Sequence, residues 1–226
     1  MKKQYPQKIN IKTVTFSDYT QPLLSICIPT FNRSAALDNT LQLLTEQAYF
    51  KETDNVEIII SDNCSSDDTA EIAKKYTDLY PKKVRYYRND ENIWDRNFEK
   101  VLSYGKGLYM KLCNDTLIYH ENSLENMCQD IIKFLPSKPL LYFSAGFVNT
   151  ERKYSILSSM NEFLSKASYG ITAIGNFGIW KEDFDEIKDF SRKANKNLAQ
   201  VDVLLRVAEK KKISAIVNEV YFHFCI

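Results

Sequence analysis

The chain has 226 residues, 44% of them hydrophobic, and 30 basic side chains stand against 29 acidic ones for a formal charge of +1. That length suits one α/β domain with a sizeable core, and the near-zero charge excludes a global field that would recruit nucleic acid or an acidic polymer. No apolar run approaches the roughly 18–20 residues needed to cross a bilayer, and the five cysteines include no Cys-x-x-Cys pair, which argues against a zinc knuckle or a disulfide framework. Met1-Lys2-Lys3-Gln4-Tyr5-Pro6 lacks the apolar core of a signal peptide. A cytoplasmic setting is therefore expected, with at most peripheral contact at the inner face of a membrane.

Residues 1 to about 21 are polar and mixed, and are expected to form an arm that adds an edge strand or stays loose. Leu23-Leu24-Ser25-Ile26-Cys27-Ile28 is a buried first strand that breaks at Pro29-Thr30-Phe31-Asn32-Arg33. A helix follows from about Ser34, a candidate N-cap, with Leu37, Leu41 and Leu44 as one apolar stripe. Val56-Glu57-Ile58-Ile59-Ile60 is the second strand, ending in Ser61-Asp62-Asn63. Ser65-x-x-Asp68 has the spacing of a capping box for a second helix that stops before Pro81. Val84 to Tyr87 is a third strand, Ile93 to Tyr104 a helix, and Leu108 to Cys113 a fourth strand that delivers Asn114-Asp115-Thr116 to its end. Strand-to-helix units in succession predict an α/β fold with a mostly parallel central sheet flanked by helices. Ligands of such sheets bind beyond the carboxyl ends of the strands, where Asn32 and Asp62 fall.

These pieces resemble a known family. Ile-Pro-Thr-Phe-Asn-Arg, then Ile-Ile-Ser-Asp-Asn-x-Ser-x-Asp-x-Thr, then Asn92 and Asn97 before Gly107-x-Tyr109 and the Asn114-Asp115 turn are similar to a family 2 glycosyltransferase of GT-A architecture, a Rossmann-like fold. The likeness covers roughly residues 22–120 and is nearest in style to bacterial surface-polysaccharide enzymes, including the abequosyltransferase-like branch. It implies a single domain with a nucleotide-sugar-binding half up to about residue 120 and an acceptor-binding half over about 121–226, the chain ending abruptly enough to suggest an excised domain. Capsule, lipopolysaccharide or a related glycan is the implied setting, with a nucleotide-sugar donor, UDP first among bases, and a glycan or lipid-linked acceptor. Neither Gly-x-Gly-x-x-Gly nor Gly-x-x-x-x-Gly-Lys occurs in the context a dehydrogenase or P-loop enzyme requires.

Sugar transfer needs a grip on the nucleoside, neutralisation of the leaving diphosphate and a base for the acceptor hydroxyl. For the first, the resemblance places Pro29, Thr30 and Asn32 beside base and ribose, Asp62 as an acceptor from the base, and Asn92 ahead of a position where Trp94 replaces the family's usual Gly. Holding a turn through backbone N–H groups two residues on is the plainer, less favoured alternative for Asp62. Arg33 is expected to contact phosphate or pair with an acid.

For the second, the family's Asp-x-Asp turn aligns with Asn114-Asp115-Thr116, which keeps one carboxylate. Mn2+ or Mg2+ takes one or two carboxylates plus phosphate oxygens, so Asp115 with Asn114 or Thr116 is the expected metal site, and turn capping the plainer alternative. His223 is either a late metal ligand or, more simply, a structural histidine, and His120 a surface residue.

For the third, Asp202 in the helix-like Asn197–Val207 stretch is the implied base, with Asp183 and Asp185 behind it. The helix dipole alone also favours an acid there. Phe177 and Trp180 are candidate acceptor platforms, or ordinary core rings. Lys210-Lys211-Lys212 is a solvated helix end or, less simply, a contact for anionic headgroups. The family's inverting single displacement would follow. A non-catalytic nucleotide-sugar or glycan-binding module is the alternative from another class.

Overall fold

A computed structural model describes residues 20–148, 150–196 and 198–224, so nearly all of the N-terminal arm lies outside the described residues. The first strand, β1 (Leu24–Thr30), sends Leu24, Ile26 and Ile28 to one face of a sheet and Cys27 to the other. This is the two-residue alternation of a pleated strand buried on both sides. On the first face lies α1 (Ser34–Thr45), whose Leu37, Leu41 and Leu44 are fully buried. Each such burial stabilises by about 1.5–3 kcal/mol. A short α2 (Ala48–Glu52) leads to β2 (Val56–Asp62), which pairs in parallel with β1 so that Thr30 lies beside Asp62.

The next units are α3 (Thr69–Leu79), β3 (Val84–Arg88), α4 (Arg96–Ser103) and β4 (Tyr109–Leu112). Then come β5 (Leu117–Tyr119), α5 (Ser123–Phe134), β6 (Leu140–Phe143), β7 (Tyr154–Leu157) and α6 (Met160–Ala167). After the 3-10 turns Ser168–Thr172 and Ile174–Asn176, β8 (Gly178–Trp180) and α7 (Lys181–Glu186) lead through the 3-10 stretch Phe190–Lys196 to α8 (Ala199–Lys211), β9 (Ser214–Val217) and β10 (Phe222–Phe224).

The central sheet runs β3-β2-β1-β4-β8, its first four strands parallel and β8 antiparallel, as the strand-to-helix succession predicts. A three-stranded sheet (β6-β9-β7) and a β5-β10 ribbon complete the second half. The second core packs Cys27, Ile59, Met110 and Leu112 against Val101 and Leu102 of α4 and Val203, Leu204 and Val207 of α8.

Local expectations fail where long-range partners outbid local ones. Ser34 is the first helical residue and not the cap: Arg33 holds the N-cap position without a side-chain bond, and the Ser34 amide donates to Asp67 Oδ2 at 2.9 Å. The capping box is absent too, because Ser65 Oγ accepts from the Asn32 amide at 2.8 Å and Asp67 Oδ1 takes the Thr69 amide at 3.1 Å. The helix expected from Ile93 begins only at Arg96, since Trp94 sits at φ 53°, a left-handed conformation that ends any helix preceding it.

Candidate functional site

The parallel register brings the ends of β1, β2 and β4 to one edge of the sheet, and an open cleft of about 270 Å³ lies there. Five of the expected site residues line it: Pro29, Thr30, Arg33, Asn114 and Asp115. Thr30 Oγ1 donates to Asp115 Oδ2 at 2.7 Å, Arg33 Nη1 stands 3.3 Å from Oδ1, and Thr40 Oγ1 of α1 donates to the Asp115 carbonyl at 3.0 Å. The Asp115 side chain is 6% exposed. Burial raises its pKa above the ordinary value, opposed by the Thr30 hydrogen bond and the Arg33 guanidinium. The plainer turn-capping alternative therefore does not describe it: its side chain binds two groups from the β1 end, 82 and 85 residues away.

Asn114 Oδ1 is buried and has no hydrogen-bond partner among the described residues. Asp115 and Asn114 both line the cleft and offer a carboxylate and an amide oxygen, donors of the kind an octahedral hard cation takes when phosphate and water complete its shell. Among the described residues no cluster of three or more His, Cys, Asp or Glu is gathered for a metal. His223 does not turn to the cleft. It pairs across β5 and β10 with His120, Nδ1 to Nε2 at 2.9 Å, and both rings are exposed.

Asp62 stands beside Thr30 in register, yet it is fully buried and does not line the cleft. Its Oδ1 accepts from the Ser65 amide and its Oδ2 from Tyr86 Oη, both at 2.8 Å. A nucleobase reaching this carboxylate would have to displace the Tyr86 hydroxyl. Asn32, at φ 52°, accepts from the Ser66 amide at 2.7 Å and ties the β1 loop to the β2 loop from the exposed rim. Asn92 Oδ1 accepts from Asn63 Nδ2 at 2.6 Å and from the Trp94 amide at 2.9 Å, and so shapes the wall from behind.

The second-half candidates are not gathered here. Phe177 and Trp180 are 2% and 1% exposed; Trp180 Nε1 donates to the Pro139 carbonyl at 2.7 Å and Phe177 packs edge-on against Phe190, so both are core rings with no free face for a sugar. Asp202 is held by Arg192 through two 2.8 Å bonds and by Arg206 at 3.1 Å, outside the cleft lining. The Arg192 hydrogen bond holds its pKa below the usual carboxylate range, which opposes a base role. Asp183 pairs with Lys211 and Lys210, and Asp185 with Lys181. Two of the three lysines at 210–212 are thereby tied to α7 acids rather than offered to a membrane, and among the described residues no helix is long and apolar enough to cross one.

Several cleft residues escaped sequence reasoning. Asn63 follows Asp62, and the turn after β2 aims it at the cleft while Asp62 points into the loop behind. Asp95, Phe98 and Ile174 also line the wall, with Trp94 at the mouth, 75% exposed. Asp95 and Phe98 flank the Asn97 of the recognised motif, a signal that was available; nothing local marks Ile174. Its turn is anchored by Lys111, fully buried on β4, whose Nζ donates to the Gly175 carbonyl and lies 4.0 Å from the Phe222 ring centroid. Burial pushes the Lys111 pKa down to about 7.

A mostly parallel sheet with polar strand tips and a single acidic turn after its fourth strand is an α/β architecture of the GT-A kind. The chain belongs to glycosyl transferase family 2, whose family model matches residues 25–181. It is 39% identical over 88 residues to the abequosyltransferase RfbV of Salmonella typhimurium, a stretch covering 38% of this chain and 26% of that protein. It is 40% identical over 72 residues to the validoxylamine A glucosyltransferase of Streptomyces hygroscopicus subsp. limoneus, covering 31% and 16%. The matched stretches thus span about a quarter or less of these two relatives. Among solved structures, S. aureus TarS 1–349 in complex with UDP superposes with a TM-score of 0.68 at 13% identity over 90% of this chain and 60% of that one. A mannosyltransferase from Pyrobaculum calidifontis in complex with GDP-Man and Mn2+ gives 0.59 at 13% identity over 88% and 57%. At those identities the likeness is one of fold.

Proposed function

We propose that this chain transfers a sugar from a nucleoside diphosphate donor to a hydroxyl of a glycan or lipid-linked acceptor in bacterial surface-polysaccharide synthesis, by a single inverting displacement. The observation that carries this is the cleft at the strand tips, where Thr30 and Arg33 hold the buried Asp115 beside an unpartnered Asn114 oxygen. Relatives that move abequose or glucose, and neighbours seen with UDP or GDP-mannose, support the donor class. Pro29, Thr30 and Asn63 would flank base and ribose, with Asp62, Asn32 and Asn92 fixing the loops around them.

Charge supports a cation. Among the described residues lining the cleft Arg33 is the only cation, against Asp95 and Asp115. A diphosphate would add two more negative charges to that surplus. Asp115 and Asn114 would hold Mn2+ or Mg2+, which supplies charge neutralisation for the leaving diphosphate. Arg33, 55% exposed, is free to swing from Asp115 onto a phosphate oxygen. Thr30 keeps the carboxylate aimed while it does so.

A binding module without turnover is favoured by one observation, that Asp202 is locked between two arginines and away from the cleft. One assay separates the two. UDP-, GDP-, CDP- and dTDP-sugars are incubated with the protein, Mn2+ and a glycan acceptor, and free nucleotide is measured. Release that depends on acceptor establishes transfer, whereas binding in calorimetry without release leaves a module.

A further inference from the structure

Asp95 lines the cleft, and its side chain performs no structural task among the described residues. It sits at the N-cap position of α4, but its side chain caps nothing, and its Oδ2 is buried without a hydrogen-bond partner among the described residues. A buried carboxylate oxygen left unbonded costs free energy comparable to a lost hydrogen bond or more, so one in a residue that lines a cleft calls for a partner from outside the fold. Burial also raises the Asp95 pKa, the expected result for a carboxylate that lacks donors. The same cleft is lined by Trp94, Phe98 and Ile174. Trp94 keeps φ 53° although it carries a bulky side chain, and leaves its ring 75% exposed at the mouth. Strain retained at a cleft, spent on holding an aromatic ring in solvent, marks a contact surface for a ligand.

An acceptor without donors, in a cleft that also holds apolar and aromatic side chains, suits a polyhydroxylated ring whose O–H groups donate and whose C–H faces pack on the rings. Phosphate does not match, because it brings acceptors to an acceptor. We propose that Asp95 is a binding residue that accepts hydrogen bonds from hydroxyls of the bound sugar nucleotide, with Trp94 covering the same ring. This deepens the nucleotide-sugar reading above and rests on it. The hydroxyls belong to the ribose or to the transferred sugar, and the experiment distinguishes the two.

The full chain and its Asp95→Asn and Asp95→Ala variants are titrated calorimetrically, with Mn2+ present, with UDP, 2′-deoxy-UDP and UDP-glucose, then with the GDP series. Loss of a hydrogen bond to a charged group should weaken binding about 10- to 100-fold, about 1.4–2.8 kcal/mol. A loss for UDP but not for 2′-deoxy-UDP assigns the ribose. A loss confined to the extra affinity of UDP-glucose over UDP assigns the transferred sugar. Ligand-free melting of Asp95→Asn should be unchanged or higher, which separates this role from a structural one. If every nucleotide binds the variants as it binds the wild type, the assignment to Asp95 is overturned while the nucleotide-sugar function stands. If no nucleotide of either series binds the wild type, both fall. Trp94→Gly adds a second arm, since glycine relieves the left-handed backbone: it should melt no lower than wild type and yet bind the sugar nucleotide more weakly.

Discussion

Replacing Asp115 with asparagine separates what this carboxylate does for the fold from what it does for a ligand. Asn keeps an acceptor for Thr30 Oγ1, so the change trades a hydrogen bond to a charged group for a neutral one, a loss of about 1 kcal/mol. The Arg33 pair adds about 0.2–1 kcal/mol at most, because the guanidinium is 55% exposed and screened. Against this stands relief of burying a charge, the largest influence on the group. Because the folded-state pKa lies above the unfolded value of 3.8, the folded chain holds this proton more tightly than the unfolded chain. Asp115 therefore favours folding below that value and disfavours it as pH rises through the folded pKa, so at neutral pH the ionised group is a burden. Asp115→Asn should melt within about 4 °C of wild type, at roughly 2–4 °C per kcal/mol for a chain of this size. Its response to ligand should collapse. For wild type, a nucleoside diphosphate with Mn2+ at 100 times its Kd adds about 2.7 kcal/mol, or roughly 5–11 °C. Differential scanning fluorimetry with and without EDTA reads both quantities. Retention of the full metal-dependent shift in Asp115→Asn would refute the metal and diphosphate role, and a melting loss above about 10 °C would show that the carboxylate serves the fold instead.

Glu57→Ala should destabilise by about 3–5 kcal/mol in urea titration, because the 5% exposed carboxylate accepts from Ser25 Oγ, Arg85 Nη2 and the Lys106 amide at 2.7, 2.6 and 2.6 Å, and its removal strands the Arg85 charge. Gly178→Ala should cost about 1–3 kcal/mol or fail to fold, since a Cβ there collides with the Tyr109 hydroxyl and ring, which are fixed by a 2.5 Å bond to the Leu141 carbonyl; unchanged melting would contradict the packing described. Lys111 has a folded pKa of about 7 against 10.5, so the unfolded chain binds the extra proton and wild-type stability should rise with pH between those values. Lys111→Met should flatten that rise, which urea titrations at pH 7, 8.5 and 10 would measure.

Much of the fold was written locally. The apolar runs of β1 and β2, the Leu37/Leu41/Leu44 stripe and the polar breaks after each strand specify a parallel α/β sheet, because hydrophobic period and turn chemistry are properties of neighbouring residues. The same locality placed Pro29, Thr30, Arg33, Asn114 and Asp115 at strand tips, and chain order within a parallel sheet then requires those tips to share an edge. The second half was far less legible. Asp202, Phe177 and Trp180 carry the residue types a catalytic half needs, yet Arg192, Phe190 and the Pro139 carbonyl occupy them, and such partners follow no period in the sequence.

Capping was misassigned for the same reason: Asp67 serves the Ser34 amide from 33 residues away, and no local spacing encodes that. Which acid lines the cleft and which holds a turn also depends on the three-dimensional packing. Asp62 ends β2 and Asp115 lies in the turn after β4, both beside Thr30, but Tyr86 and Ser65 enclose one while the cleft opens on the other. A side chain's chemistry belongs to the residue, whereas its access to solvent depends on what distant segments pack over it.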